Sequence, residues 1–310
     1  MKIVAGLGRL ENAEEYIDAG ADELFCGVMP LEWLESRGVV IPLNRREVLL
    51  YGTQISSVTD MKILMRLAEK RRIPVAVTLN STFYPPDVYP EIVRLAQMLE
   101  DMGCERLILA DMALLMRIRR AGVKVRVHLS GEAGEFSVAA LKEWEKWGIS
   151  RFIFHRKVAF EEMAAVRKAF PKQELEAFIL NERCYYTGAM CASLHCDEMP
   201  HICKVSGRIS GVYEELAVPE PVSREVDLSE LGASGCGLCA LSALERAGIT
   251  HLKLVGRGNR PERMVRDIRA LKTALACASA VEMKKVLFPN GCSDTCYYRE
   301  EKVDDMSARV

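Results

Sequence analysis

Arg106-Leu-Ile-Leu-Ala110, then Asp111-Met-Ala-Leu-Leu-Met-Arg-Ile-Arg-Arg-Ala121-Gly122, then Lys124-Val-Arg-Val-His-Leu129 stand in close succession. The first and third are short apolar runs of strand type, and the second repeats its apolar side chains at helical spacing before closing on Ala-Gly. A strand, a crossover helix and a second strand make a βαβ unit, the connection that parallel pairing requires.

The same rhythm runs outward in both directions. Strands are predicted at Ile3–Gly6, Glu23–Val28, Pro74–Leu79, Arg106–Ala110, Lys124–Leu129, Arg151–His155, Glu174–Leu180 and His251–Val255. Amphipathic helices are predicted near Ala13–Ala19, Met61–Arg71, Tyr89–Met102, Ala113–Ala121, Val138–Trp147, Phe160–Phe170, Ala240–Ala247 and Pro261–Ala278. Several end in a glycine that can take the left-handed conformation closing a helix, as at Ala19-Gly20, Met102-Gly103, Ala121-Gly122, Trp147-Gly148 and Ala247-Gly248. Eight such units predict an α/β fold, a (β/α)8 TIM-like barrel, regular or distorted. Two interruptions, Met29–Ser56 and Cys184–Cys236, follow strand ends and so belong to the face that carries barrel active sites. The expected organisation is a barrel over residues 1–279, a cysteine-rich insertion at 181–239 after the seventh strand, and a C-terminal helix and tail at 280–310.

Bulk properties agree with one large domain. The 310 residues exceed the roughly 250 of a typical barrel. A hydrophobic fraction of 49% with 27% charged residues supplies a sizeable core and argues against disorder. With 42 basic and 43 acidic residues there is no whole-protein field to gather nucleic acid or an anionic membrane, although a local basic pocket and RNA remain open. The start, MKIVAGLGRL, reads as a strand rather than a leader, and no apolar run reaches the roughly 18 residues of a membrane span. A cytoplasmic location is expected.

Eleven cysteines in a reducing compartment point to metal binding or catalysis rather than disulfides. Cys26, Cys104 and Cys277 sit at strand and helix positions that suit small core residues. The others crowd the C-terminal half: Cys184, Cys191, Cys196, Cys203, the pair Cys236-Gly-Leu-Cys239, and Cys292-Ser-Asp-Thr-Cys296. Thiolates from loops and a helix start suit an iron–sulfur cluster, while His195 and His201 close by keep zinc in play. Cys292 and Cys296 with Cys196 and Cys236 can build a second metal site, which the spacing permits without requiring.

Glu176-Ala-Phe178 followed by Cys184 and Cys191, and the terminal Leu252-Lys-Leu-Val-Gly-Arg257, resemble peptidase family U32. The likeness extends to Val77-Thr-Leu-Asn80, Ala110-Asp111, His128-Leu-Ser130 and Arg156, nearly the whole chain. The resemblance implies a [4Fe–4S] cluster on residues matching Cys184, Cys191, Cys203 and Cys239. It also implies redox or oxygen-independent hydroxylation chemistry on a small molecule or an RNA base, with prephenate as one oxygen donor, and a homologous partner subunit as one possibility. Some members carry the name of collagenase-like proteases. Two departures bear on substrate chemistry: Leu180-Asn-Glu-Arg183 stands where many members have His-Gly-Ala-Leu, and Val255 where they often have Glu. Cys203 follows Cys191 by only 12 residues, which leaves Cys196 as an alternative third ligand.

Polar side chains at barrel strand ends can reach a common centre, which singles out Asn80, Asp111, His128, Ser130, Arg156, Glu176, Lys253 and Arg257. His128, Arg156 and Glu176 are the candidates for catalysis, with His128 a proton donor or acceptor. Asn80, Ser130, Lys253 and Arg257 are the candidates for substrate binding, the cations clamping an anionic small molecule. The competing reading makes these charges salt bridges at the barrel mouth. Two other functions compete: a hydrolase, for which no His-Glu-x-x-His motif is present, and a non-catalytic iron–sulfur partner protein.

Overall fold

A computed structural model describes residues 1–37, 42–45, 52–184, 191, 230–292 and 296–298. Strand β1 (Lys2–Leu7) pairs on one side with β2 (Glu23–Val28) and on the other with β9 (His251–Leu254), so the first strand joins the two ends of the sheet. From β2 the order continues through β4 (Val75–Leu79), β5 (Arg106–Leu109), β6 (Arg126–Leu129), β7 (Ile149–Ile153) and β8 (Glu174–Phe178) to β9, every pairing parallel. The result is the closed eight-stranded (β/α)8 barrel expected from the sequence. Its strands are mainly apolar because helices cover their outer face and side chains fill the inner one, and the charged residues they carry include Glu23, Arg151, Glu176 and Lys253, which are buried.

Helices α1 (Ala13–Ala19), α3 (Val58–Arg71), α4 (Tyr89–Asp101), α5 (Met112–Arg120), α6 (Val138–Glu145), α7 (Phe160–Ala169), α8 (Leu241–Arg246) and α9 (Pro261–Ala276) fill the intervals, followed by α10 (Ala280–Leu287). Their starts are fixed locally. Ser57 accepts from Thr59 and Asp60 N–H to cap α3, three residues before periodicity alone places the helix, and Asp111 accepts from Ala113 N–H to cap α5. At the far end of α5, Gly122 has a φ of 82° and nothing within 4 Å of where a Cβ would lie, so conformation alone selects glycine there. The interruption after β2 contains a helix, α2 (Leu31–Arg37), and a two-residue strand, β3 (Gln54–Ile55), which pairs with Gly27 and Val28 beyond the end of β1. Two residues are too few for a periodic signal, which is why the sequence shows only a loop.

The barrel interior holds a knot of charge. Arg151 on β7 is 1% exposed, and its guanidinium bonds Glu23 at 2.8 and 2.9 Å, Glu176 at 2.7 Å and Glu174 at 2.7 and 2.9 Å. Strands β2 and β7 are not neighbours in the sheet, so the Arg151–Glu23 pair crosses the lumen. Lys253 Nζ on β9 completes the set at 2.9 Å from Glu176 and 3.7 Å above the Phe25 ring. Burial opposes every one of these charges. It raises Glu23 even beside Arg151, but for Glu176 the combined pull of Lys253 and Arg151 overcomes burial and brings the carboxyl down to about 2.

Removing the hub leaves buried Glu23 without its ion pair and Glu176 with Lys253 alone. Arg151→Met is therefore expected to lose about 3–5 kcal/mol of stability in urea denaturation, the range for breaking a buried ion pair from one side. A loss below about 1 kcal/mol would mean that the charges are compensated by water and not by Arg151.

Candidate functional site

Arg257 follows β9 and turns its side chain into the mouth of the barrel, where it is 9% exposed and its Nη1 donates to Thr78 Oγ1 at 3.3 Å. Glycines make the room. A Cβ on Gly27 would lie 2.1 Å from Arg257 Nη1, and one on Gly8 would lie 2.1 Å from the Arg257 carbonyl oxygen. A Cβ on Gly6 would meet Arg257 Cγ at 3.3 Å. Gly6 on β1 and Gly27 on β2 thus omit side chains where the Arg257 side chain passes, and Gly8 omits one where the Arg257 carbonyl lies. Around it the loops tie together: Asn44 Nδ2 donates to the Val28 carbonyl, and Thr78 Oγ1 donates to the Cys26 carbonyl at 3.1 Å.

The other expected site residues divide into separate groups. Asn80 and Ser130 meet, Nδ2 to Oγ at 3.2 Å, joining the ends of β4 and β6. Glu176 and Lys253 pair with each other inside the charge knot, so neither cation nor carboxylate opens to the mouth as a separate binding group. Arg156 lies over Phe178, its Cζ 4.0 Å from the ring centroid, and donates to the Tyr297 hydroxyl at 3.3 Å. Asp111 serves α5 and accepts from the Tyr89 hydroxyl at 2.6 Å.

His128, on β6, is 1% exposed, and neither ring nitrogen has a hydrogen-bond partner among the described residues. Burial, then Arg151, Lys253 and Arg106, hold it well below the usual histidine range. It is a neutral imidazole facing cations.

The cysteine insertion leaves β8 through an unusual turn. Leu180, Asn181 and Glu182 have φ values of 50°, 31° and 49°, three successive non-glycine residues in left-handed backbone. Such conformations cost of order 1 kcal/mol each and persist where surrounding contacts over-determine them. Those contacts are present: Leu180 N–H donates to the Cys236 carbonyl at 2.9 Å, Glu182 N–H to Ser234 Oγ at 3.0 Å and Arg183 N–H to the Ser234 carbonyl at 2.7 Å. Asn181 Nδ2 donates to buried Asp267 at 2.7 Å, and the Asn181 carbonyl accepts from the Tyr297 hydroxyl at 2.6 Å. The turn delivers Cys184, half-buried and not disulfide-bonded, and Cys191 beyond it is free and buried. Cys239 lies in the short 3-10 turn Leu238–Ala240 ahead of α8. Cys196 and Cys203 lie outside the described residues, as do His195 and His201. Thiols outside disulfides on such a turn fit thiolate ligation of an iron–sulfur cluster in donor chemistry; as placed, no three potential ligands among the described residues are gathered for a metal ion.

A sequence model of peptidase family U32 matches residues 8–297. The chain belongs to peptidase family U32. The tRNA hydroxylation protein P of Escherichia coli is 31% identical over 91 residues, covering 29% of this chain and 20% of that protein. Its Haemophilus influenzae counterpart is 32% identical over the same length and shares. The match thus spans about a fifth of the length of these curated relatives. Among solved structures, the U32 peptidase Mk0906 is 16% identical with a TM-score of 0.42, covering 58% of this chain and 68% of that one. Among the described residues no helix is long and apolar enough to cross a membrane.

Sequence reading of this U32 member passed over Arg151, Glu23 and the glycines around Arg257. The signal for Arg151 was present: an arginine inside Ile149-Ser-Arg-Phe-Ile153 has to be paired if the strand is buried on both faces. Gly27 carried no such signal, because its partner arrives from the far end of the chain.

The buried histidines make stability pH-dependent. His251, lowered by burial and by Arg151 to about 4, and His128, held well below the usual histidine range by burial and by Arg151, both have folded values below the unfolded one. Their contribution is therefore complete above pH about 6.5 and is lost as pH falls toward the folded values, by about 1.4 kcal/mol per pH unit for each histidine. Urea midpoints between pH 7.5 and 5.5 should fall accordingly, and His128→Leu should shallow the slope by one proton. An unchanged slope in that variant would show His128 protonated in the folded chain.

Proposed function

We propose that this U32 protein is an iron–sulfur enzyme of redox or oxygen-independent hydroxylation chemistry, acting on a small molecule or an RNA base. The observation that carries the proposal is the position of Arg257: a guanidinium whose side chain passes Gly6 and Gly27 into the barrel mouth, on the face from which the thiol-bearing turn leaves β8. Barrel enzymes work on that face. An anionic group of the substrate, or of an oxygen donor such as prephenate, is the natural partner for a guanidinium there. The names of the curated relatives favour a nucleobase in RNA as the acceptor class.

A [4Fe–4S] cluster, when bound, would supply electrons. Cys184 and Cys191 are proposed as two of its ligands, with the others drawn from Cys196, Cys203 and Cys239. Asn80 and Ser130 would offer hydrogen bonds to the substrate. Neutral His128 and the Glu176–Lys253 pair would set the electrostatic floor beneath it. A cysteine hydrolase finds less support, because no hydrogen bond joins an imidazole to a thiol among the described residues.

Protein purified without oxygen is expected to be brown, with a broad absorbance at about 400 nm that bleaches on reduction. Cys184→Ser and Cys191→Ser should each lose most of the iron; a colourless wild type without sulfide after reconstitution would sink the cluster. Arg257→Ala and, through crowding alone, Gly27→Ala should each weaken binding of a carboxylate ligand by about 1.5–3 kcal/mol with iron content unchanged. Unaltered affinity in both variants would remove Arg257 from substrate binding.

A further inference from the structure

The interruption after β2 returns to the strand ends beside Arg257. The Leu43 carbonyl accepts there from the Tyr84 hydroxyl at 2.7 Å and from Ser81 N–H at 3.3 Å, and Arg45 N–H donates to Asn80 Oδ1 at 3.4 Å. Asn44 between them is fully buried, and its Nδ2 donates to the Val28 carbonyl at 3.4 Å and to Gln54 Oε1 at 2.5 Å. A backbone carbonyl can only accept, so the amide has to turn its nitrogen to Val28 and its oxygen the other way. That oxygen, Asn44 Oδ1, is buried without a hydrogen-bond partner among the described residues. Gln54 Oε1 would lie 2.7 Å from a Cβ on Gly27, and the same Cβ would lie 2.1 Å from Arg257 Nη1. Asn44, Gln54, Thr78 and Arg257, each at least nine-tenths buried, therefore form one polar cluster at the ends of β2 and β4.

We propose that Asn44 is a specificity-determining residue of the Arg257 site, and that this site takes an anion carrying a hydroxyl near its charge. The inference rests on the reading of Arg257 as the anion-binding group and extends it. A buried acceptor left unpaired is costly, and a donor brought in with the anion relieves that cost. The guanidinium decides which donor. Arg257 repels an ammonium group and not a neutral hydroxyl, so Arg257 and Asn44 together select a hydroxy anion over the corresponding amino acid. They also select it over the bare anion, which leaves Asn44 Oδ1 unpaired. Two sources share this chemistry: a free hydroxy-carboxylate, and a ribonucleotide whose phosphate adjoins the ribose hydroxyl.

The test measures binding to the full chain purified without oxygen. One set of probes is malate, succinate and aspartate, a single skeleton bearing a hydroxyl, a hydrogen or an ammonium group; the other is uridine 3′-phosphate and its 2′-deoxy counterpart. The hydroxylated member of at least one set should bind roughly tenfold more tightly than its counterparts, and the set that does so identifies the source. Asn44→Leu, close to asparagine in shape, should erase that preference, leaving the weaker binding of the counterparts and the iron content unchanged. A structure with the preferred probe should place its hydroxyl on Asn44 Oδ1, which decides the matter even if the variant does not fold. Equal or undetectable binding within both sets would overturn the proposal, as would a preference that survives Asn44→Leu or a hydroxyl bonded elsewhere. Failure of the Arg257 reading looks different: Arg257→Ala would then bind succinate as tightly as the wild type does.

Discussion

A guanidinium closed inside a parallel barrel is the constraint on which the architecture turns. Burying Arg151 is tolerable only because carboxylates from β2 and β8 converge on it, and Glu176 is tolerable only because Lys253 shares it. The partners come from β2, β7, β8 and β9, so the register of four strands is tied to one set of ion pairs. Slipping any of them by one residue would turn a charge outward and leave another without compensation. The hydrophobic layers around the knot are generic; the knot is specific.

That arrangement also stratifies the barrel. The charge knot and His128 occupy the lumen, and Arg257, Thr78, Asn80 and Ser130 lie toward the strand ends above them. Two positive groups that look alike in sequence, Lys253 and Arg257, consequently have different roles. The lysine pairs with Glu176 inside the knot, whereas the arginine passes Gly6 and Gly27 into the barrel mouth and donates to Thr78. Four residues along one chain separate a structural charge from a candidate binding charge.

The barrel was legible because its signals are local. Each strand is a short, mainly apolar run, each helix has its own period, and closing glycines mark the joints, so eight units could be counted without knowing their contacts. The site was legible only in part. Listing polar residues at strand ends brought together Asn80 and Ser130, which meet, and Arg257, which enters the barrel mouth, with Asp111, which caps α5, and Arg156, which lies over Phe178. A one-dimensional rule cannot tell inward from sideways at a strand end. Nor could it see that Gly27 and Arg257, more than two hundred residues apart, define one space, or that Tyr297 seats the C-terminal segment on Asn181.

The turn at Leu180–Glu182 has an evolutionary consequence. Arg183 N–H and the Ser234 carbonyl are joined at 2.7 Å, so the chain leaves the barrel and re-enters it at nearly the same point. The ends of the intervening segment are held by the barrel, whatever lies between them. Lengthening such a segment costs little, since the closure entropy grows only with the logarithm of its length. The barrel thus offers a socket into which cassettes of differing length and sequence can be exchanged without disturbing the charge knot below. Diversification in this fold can proceed by swapping what is plugged in, while the strained turn keeps the pins aligned.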